Sequence, residues 1–516
     1  MSDNPFQDMT RKREWSARLG RWRDEILRPF RPSRIDPGRP GGPNLLLLGI
    51  DTLRYDHLGL AGYGSPASPN LDRLAASGTI FTDVTAPAPW TLPSFASALT
   101  GVMPGLHGGY LPGPLRNMDN QPPRRLDPDL PTMASILRKK GYRTAAFYSN
   151  QFFAFGLAES FDHHSYHNLP AAELARLALE WIRRHADQPF FCFVLFNDPH
   201  EPTTPQGEDL APFLPRAAAA GAKTDNRTIR AFARWGEKGE PNLGSSPDRN
   251  DPNNSNNPDF RAGLALKLAI YDATIMAVDR TIGNMQEKLQ AWNLADRTLV
   301  SVFSDHGEEF TDHAEFARRW NHDPRPIRGI GHGHTHFQEL LHVPWAAWGP
   351  GVPAGTRRAE PVSLCDLTPT LLDWLGEDTA SEDQTNGIES SLRGRSLAQA
   401  PAPDISEKPR IILAEAIAYG PDLVAVRKGD WKFIAHRDGR PLALFDLRID
   451  PREKFDVSND HEEVVAEFQE LLARWRATGK GAGPGNEDAP ESGAPKSWND
   501  MDDTVRRRLK DLGYSD

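Results

Sequence analysis

Residues 44–52 read NLLLLGIDT, an uninterrupted apolar run that ends in a carboxylate and a hydroxyl. Two later stretches repeat this design, FFCFVLFNDPH at residues 190–200 and TLVSVFSDH at residues 298–306. Short apolar runs of this kind indicate buried strands. A single Asp after a strand is often only a turn former. In an open parallel sheet, however, the carboxyl ends of strands meet in one crevice, so three such endings predict a functional site.

Length and composition indicate a large enzyme. The chain has 516 residues and a net charge of −10, enough for a sizeable core and more than one domain. The acidic balance argues against general nucleic-acid binding, which needs an excess of Lys and Arg. Cys192 and Cys365 are the only cysteines, so no disulfide framework is implied. With no 18-residue apolar run and no secretory signal at the N-terminus, a cytoplasmic location is expected.

Residues 1–43 differ from the rest of the chain and are interpreted as a basic amphipathic segment followed by a linker. Between Thr10 and Arg34 there are nine Lys or Arg and three Asp or Glu, and four apolar residues recur at helical spacing. Such a helix can bind an anionic membrane surface through residues 10–34. The alternative is that its apolar face packs on the protein itself. The sequence leaves the oligomeric state open.

Alternating strand and helix patterns over residues 44–400 predict an α/β domain with helices on both faces of a mostly parallel sheet. Residues 206–259 interrupt this alternation with polar segments and are predicted to be a mobile insertion, either a lid or a surface loop. Residues 401–478 predict a smaller C-terminal antiparallel sheet with one helix. Residues 479–516 predict a linker and a terminal helix.

Several segments together resemble the sulfatase family of the alkaline phosphatase superfamily. They include DTLRYDHLGLAGYGSPASPN from residue 51, FNDPHEP from residue 196, SDHGEEF from residue 304 and GHGHTHFQELLHVPWAAWGPG from residue 331. The resemblance runs in order from about residue 44 to residue 475. It implies a large α/β domain with a smaller C-terminal subdomain, one divalent cation and a covalent intermediate.

The resemblance assigns the metal ligands. Asp51 takes the place of the first family ligand, and Asp305 with His306 takes the place of the later pair. Thr52 stands where many members have a second Asp, so a sparser ligand shell is expected, closer to that of phosphate-cleaving relatives. Oxygen ligands with one imidazole suit Ca, Mg, Mn or Zn.

The nucleophile position of the family falls on Thr91, whose hydroxyl is also expected to bind the cation. As a bare sequence feature, Thr91 before Pro93 is a good helix N-cap as well. Members that cleave sulfate carry Cys or Ser here and oxidise it to formylglycine. Thr91 cannot form that aldehyde because its β-carbon bears a methyl group, and Phe95 replaces the Arg of the family signature. No formylglycine is expected, and the departure favours phosphate esters.

Histidines supply the other candidate groups. His200 aligns with a family histidine near the leaving group and is expected to protonate it. His332 and His334 are expected to act in catalysis and to contact a small anionic ester, with His107 and Asn150 as further substrate contacts. A second metal held by Asp198 and the three histidines of the loop, the third being His336, is the less favoured alternative.

The predicted function is metal-dependent hydrolysis of phosphate mono- or diesters, or phosphonate esters, through a covalent Thr91 intermediate. Three alternatives remain open at this level. A sulfatase would transfer sulfate through an unmodified Thr91. A phosphoalcohol transferase would replace water by another acceptor, and a non-catalytic binding protein would keep the fold without turnover.

Overall fold

The structure is a computed structural model that describes residues 42–113, 115–118, 122–203, 205, 207–234, 258–320, 325, 329–377, 387–399 and 409–481. The predictions made for residues 1–41 and for residues 482–516 lie outside these ranges, including the membrane-binding segment and the terminal helix.

The large domain is built on one mixed sheet. Its strands, in chain order, are Asn44–Ile50, Thr79–Thr85, Arg143–Tyr148, His163–Tyr166, Phe190–Phe196, Thr298–Ser304, His342–Trp348, Thr356–Arg358 and Val362–Ser363. Asn44–Ile50 lies in the middle and pairs in parallel with Phe190–Phe196 on one side and Thr298–Ser304 on the other. Arg143–Tyr148 continues the parallel pairing beyond Phe190–Phe196. His342–Trp348 is antiparallel to its two neighbours, so the sheet is mostly parallel, as predicted.

The central strand is buried on both faces because its apolar run does not alternate with polar residues. Leu45 and Leu47 belong to one apolar cluster, whereas Leu46 and Leu48 belong to a second cluster across the sheet. Since successive side chains of a strand point to opposite faces, helices must cover both sides. The α-helices of the large domain are Pro69–Ala76, Thr91–Thr100, Pro104–His107, Met133–Lys139, Ala171–His185, Gly207–Leu210, Leu214–Ala219, Asn226–Phe232, Pro258–Ala291, Ala314–Trp320, Gln338–Leu341 and Leu367–Trp374.

The first half of the predicted mobile insertion is partly helical, whereas its mobility stays a prediction. Three short helices lie within residues 207–232, and Leu210, Phe213 and Phe232 of this segment are buried in the same cluster as the long helix Pro258–Ala291. A few apolar residues at suitable spacing pack this polar segment against the core. The polar composition of the segment as a whole gave no sign of this packing. Residues 235–257 lie outside the described part of the chain.

The C-terminal part forms a four-stranded antiparallel sheet with one helix, as predicted. Its strands are Ile411–Ala414, Leu423–Lys428, Trp431–His436 and Pro441–Asp446, and its helix is Glu462–Ala477. Two smaller ribbons pair Leu115–Asn117 with Tyr419–Pro421, and Glu309–Phe310 with Ile330–Gly331. Among the described helices, none is both long enough and apolar enough to cross a membrane.

Candidate functional site

The site lies at the carboxyl ends of four adjacent strands. Asp51 follows the central strand, and Asp305 with His306 follows its neighbour Thr298–Ser304. Asn150 comes two residues after Arg143–Tyr148, and His200 comes four residues after Phe190–Phe196. Parallel pairing brings these strand ends to one edge of the sheet, which is why residues so far apart in sequence meet.

Asp51, Asp305 and His306 form a buried cluster that fits a divalent cation. Their ligand atoms all lie within 4.8 Å of one another. His306 Nε2 is 3.5 Å from Asp51 Oδ1 and 3.3 Å from Asp305 Oδ2. Neither of these two carboxylate oxygens has a hydrogen-bond partner among the described residues. Buried carboxylate oxygens without partners are costly unless a cation binds them, so the donor set matches the predicted ligands.

The electrostatics of the cluster agree with a cation site. Burial, together with the nearby Asp51 carboxylate, raises the pKa of Asp305 well above its ordinary value. Burial lowers the pKa of His306 to about 3, so its imidazole is neutral at pH 7. His306 Nδ1 donates to the Gly307 carbonyl at 2.9 Å, which leaves the Nε2 lone pair directed at the carboxylates. Two carboxyl groups and one neutral imidazole nitrogen therefore converge on the same point.

Thr91 lies beside this cluster at the start of the helix Thr91–Thr100. Its side chain is buried, and its Oγ1 is 3.4 Å from His306 Nε2. The N-cap residue is Trp90 rather than Thr91, and it makes no side-chain capping bond, which corrects the N-cap interpretation. The Thr91 hydroxyl is therefore directed at the site and does not cap the helix amides. It lies at the N-terminus of the helix, where the helix dipole is positive.

Asn150 joins the nucleophile candidate to a metal-ligand candidate. Its Nδ2 donates to Asp51 Oδ2 at 2.6 Å and lies 3.3 Å from Thr91 Oγ1 and 3.3 Å from Asn197 Oδ1. Its Oδ1 accepts from the Phe152 amide at 2.9 Å, which fixes the orientation of the side-chain amide. Asn150 thus orients two site groups, while its contact with substrate stays a prediction. Asn197 was missed in the sequence, although it directly follows a strand as Asp51 does.

His200 and His332 complete one side of the site. The ring of His332 lies 4.5 Å from that of His306 and 4.9 Å from that of His200, measured between centroids. His332 Nδ1 is 3.2 Å from Glu308 Oε1, so a buried carboxylate orients this imidazole. Glu308 was also missed, although it lies within the quoted SDHGEEF segment.

The other predicted histidines are engaged within the protein. His334 Nε2 contacts Glu309 Oε2 at 2.6 Å. His107 Nε2 lies 3.1 Å from both Ser97 Oγ and the Pro93 carbonyl oxygen, and its Nδ1 accepts from the Gly109 amide. These contacts position the two rings against neighbouring backbone and side chains. Substrate contact by His107 or His334 stays a prediction.

The alternative second metal site is not assembled among the described residues. Asp198 Oδ1 accepts a hydrogen bond from the Ala171 amide at 3.0 Å. Among the described residues, the ligand atoms of Asp198, His332, His334 and His336 do not form a cluster that could hold a metal. Alternating residues of an irregular loop do not share a direction, so the spacing of the three histidines was a poor guide to convergence.

Comparisons with known proteins identify the family of the chain. A family model described as Sulfatase matches residues 43–377. Arylsulfatase K of Canis lupus familiaris is 24% identical over 490 residues, covering 84% of this chain and 82% of that protein. A protein named Sulfatase from Formosa agariphila is 22% identical over 502 residues, covering 84% of this chain and 87% of that protein.

Solved structures show the same fold. The phosphonate monoester hydrolase of Agrobacterium radiobacter superposes with a TM-score of 0.60 at 21% identity, covering 84% of this chain and 96% of that chain. BT4656, solved in complex with its substrate D-glucosamine-2-N,6-O-disulfate, gives a TM-score of 0.61 at 17% identity, covering 87% of this chain and 100% of that chain.

Proposed function

The chain belongs to the sulfatase family of ester hydrolases, within the alkaline phosphatase superfamily, and we propose that it hydrolyses phosphate mono- or diesters, or phosphonate esters, through a covalent intermediate on Thr91. One observation carries this proposal. The Thr91 hydroxyl lies 3.4 Å from His306 Nε2, at the N-terminus of a helix and beside two buried carboxylates. This is the arrangement that an oxygen nucleophile requires.

The surroundings of Thr91 favour phosphoryl transfer over formylglycine chemistry. Phe95 occupies the position where the family signature carries Arg, and it is fully buried. Its ring packs edge-on against Phe193 and Phe303, with centroids 6.0 and 5.5 Å away. An aromatic cluster therefore fills the space that a guanidinium would use. A hydroxyl nucleophile without an aldehyde suits an ester whose covalent adduct water can cleave at phosphorus.

Asp51, Asp305, His306 and the Thr91 hydroxyl would hold the cation. When bound, a divalent cation supplies positive charge that lowers the pKa of a hydroxyl and stabilises negative charge on a phosphoryl oxygen. Thr91 Oγ1 loses its proton to solvent and attacks phosphorus, forming a new O–P bond as the bond to the leaving oxygen breaks. Water then attacks the phosphorus of the adduct and returns a proton to Thr91 Oγ1. The product is phosphate from a monoester, a phosphate monoester from a diester, or a phosphonate from a phosphonate ester.

We assign the protonation of the leaving oxygen to His200, while the side-chain amide of Asn150 contacts both Asp51 and Thr91. His200 Nδ1 faces the Glu201 carbonyl oxygen at 2.6 Å. Because a carbonyl oxygen only accepts, Nδ1 carries a hydrogen, and Nε2 is the nitrogen that must take up a second proton and then give it to the leaving oxygen. Removal of the His200 side chain would lower the rate of ester cleavage most when the leaving group is a poor one.

The covalent step is tested at Thr91. Thr91→Ala is expected to lower kcat/KM by at least roughly 1000-fold, and Thr91→Ser to retain part of the activity because it keeps the hydroxyl. Mass spectrometry of the protein quenched during turnover of a slow aryl phosphate should detect a phosphoryl group on Thr91. Thr100→Ala is the matched control on the same helix. Full activity of the Ala variant would mean that water attacks directly.

The choice between phosphate and sulfate is tested by paired substrates. A sulfated Thr91 cannot release sulfate by collapse to an aldehyde, so turnover would need slow attack at sulfur. For matched aryl esters we expect kcat/KM for the best phosphate or phosphonate to exceed that for the sulfate at least roughly 100-fold, or about 2.7 kcal/mol. Faster sulfate cleavage by protein with an intact Thr91 would overturn this proposal in favour of a sulfatase.

A further inference from the structure

A buried lysine forms an ion pair with the residue that follows the proposed leaving-group histidine. Lys267 lies in the long helix Pro258–Ala291 and is 1% exposed. A buried ammonium is costly unless it is paired, and its partner here is the carboxylate of Glu201. Glu201 directly follows His200. A helix that is remote in sequence is therefore tied to the loop that carries the imidazole.

Glu201 acts on His200 through its main chain at the same time. Its carbonyl oxygen accepts the hydrogen bond from His200 Nδ1 at 2.6 Å. The side chain of Glu201 is thus held by Lys267 while its carbonyl group holds the imidazole. Loss of the ion pair would remove the Lys267 contact from the Glu201 side chain, which is 12% exposed. The peptide that accepts from His200 would lose its anchor.

We propose that Lys267 is a positioning residue for His200, acting through Glu201 to hold the neutral imidazole in the Nδ1–H form, so that Nε2 is the nitrogen that takes up a proton and passes it to the leaving group. The catalytic consequence rests on the proposed function, whereas the tautomer and orientation of the ring do not. The rival role is direct binding of the anionic ester by the ammonium. The burial of Lys267 and its pairing with Glu201 argue against that role.

Kinetics separate the two roles through the leaving group. Lys267→Met keeps the aliphatic stem and removes the charge, and the assay uses a series of aryl esters of whichever class is turned over. We expect kcat/KM to fall about 10- to 100-fold for poor leaving groups and less than about 3-fold for good ones, within the range of general acid catalysis. Combined with His200→Ala, Lys267→Met should add less than about 2-fold. Lys267→Arg should recover part of the loss.

Lys288→Met is the matched control, because Lys288 is exposed on the same helix. It should leave every rate unchanged. If Lys267→Met fails to fold, Glu201→Gln breaks the ion pair while keeping the main-chain carbonyl, and it should reproduce the leaving-group dependence. A loss that is equal for all leaving groups and additive with His200→Ala would overturn the proposal.

A measurement without turnover separates this inference from the proposed function. Imidazole ¹⁵N chemical shifts of His200, assigned by comparison with His200→Ala, should report the Nδ1–H form in the parent protein. In Lys267→Met a substantial fraction of the Nε2–H form should appear. Unchanged His200 signals would overturn the positioning role even if ester hydrolysis is demonstrated. A changed signal would support it even if no ester is cleaved.

Discussion

Thr52 shows how the site constrains a single residue. It follows Asp51 and has a φ of 58°, a left-handed conformation that is unfavourable for a β-branched side chain. Three hydrogen bonds hold it there. Its amide donates to Asp305 Oδ1 at 3.4 Å, its hydroxyl donates to the Asp51 carbonyl at 2.7 Å, and its carbonyl accepts from Tyr271 at 2.6 Å. Backbone strain is thus stored next to the proposed metal ligands.

Because of this strain, glycine is predicted to be more stable than alanine at position 52, the reverse of their usual order in a helix. Thr52→Gly and Thr52→Ala both remove the hydroxyl, but only glycine adopts a positive φ without a steric penalty. Thr52→Gly is therefore expected to be more stable than Thr52→Ala by about 1 kcal/mol. Urea denaturation of the two variants measures the difference.

Ala218→Gly provides the control for the Thr52 comparison. Ala218 is exposed within the helix Leu214–Ala219, where glycine should instead be the less stable residue by about 1 kcal/mol. If Gly and Ala rank in the same order at both positions, the left-handed conformation of Thr52 is not a source of strain.

At the scale of elements, a buried charged network joins the C-terminal sheet to the loop after Glu309–Phe310. His313 Nδ1 donates to Glu339 Oε1 at 2.6 Å, and His313 Nε2 donates to the Glu453 carbonyl oxygen at 3.0 Å. Lys432 of the C-terminal sheet pairs with the Glu453 carboxylate at 2.6 Å. Both ring nitrogens face acceptors, so His313 is an imidazolium. This leaves no lone pair for a metal, although His313, Glu339 and Glu453 cluster closely.

The network predicts a loss of stability at alkaline pH. Burial alone would lower the pKa of His313, but the hydrogen-bonded Glu339 carboxylate and the nearby Glu453 carboxylate together outweigh burial and raise this pKa to about 9. The stabilisation is therefore complete below the unfolded-state pKa of about 6.5 and disappears as pH rises through 9. His313→Gln, which cannot ionise, should be less stable than the parent protein at pH 6, with the difference shrinking towards pH 9.5. Chemical denaturation at several pH values measures this, and a constant difference would contradict the assignment.

At the scale of the whole molecule, the two parts share apolar contacts and hydrogen bonds. Trp90, next to the proposed nucleophile, donates to the Ala416 carbonyl at 2.5 Å, and the Glu415 amide donates to the Pro87 carbonyl at 2.9 Å. Residues of the C-terminal sheet such as Ile434 and Phe445 belong to the same apolar cluster as the central strand. We therefore expect residues 42–481 to unfold as one cooperative unit.

The two cysteines offer a test of this cooperativity. Cys192 is buried in the main sheet, whereas Cys365 is buried in an apolar cluster formed largely by the C-terminal sheet and its helix. Single-cysteine variants, Cys192→Ser and Cys365→Ser, should show thiol labelling that begins at the same urea concentration. If the opening free energy measured at Cys365 is lower than that at Cys192 by more than about 1 kcal/mol, the C-terminal part unfolds separately.

The sequence by itself determined the sheet, the ends of its strands and the residues that follow them. Apolar runs and the polar residues after them are local features, so Asp51, Asp305 and His306 could be placed at one edge before any coordinates were known. Family resemblance then singled out Thr91, and the chemistry of a methyl-bearing β-carbon excluded the aldehyde.

Only the tertiary structure decided which side chains meet around that edge. Lys267 and Glu201 are 66 residues apart and carry no shared pattern. Likewise, nothing in the spacing of His332 and His334 tells which ring lies against His306 and which one contacts Glu309. Such pairings depend on where a loop turns and which helix packs behind it. They are set by the packing of the whole chain, and no local run of residues encodes them.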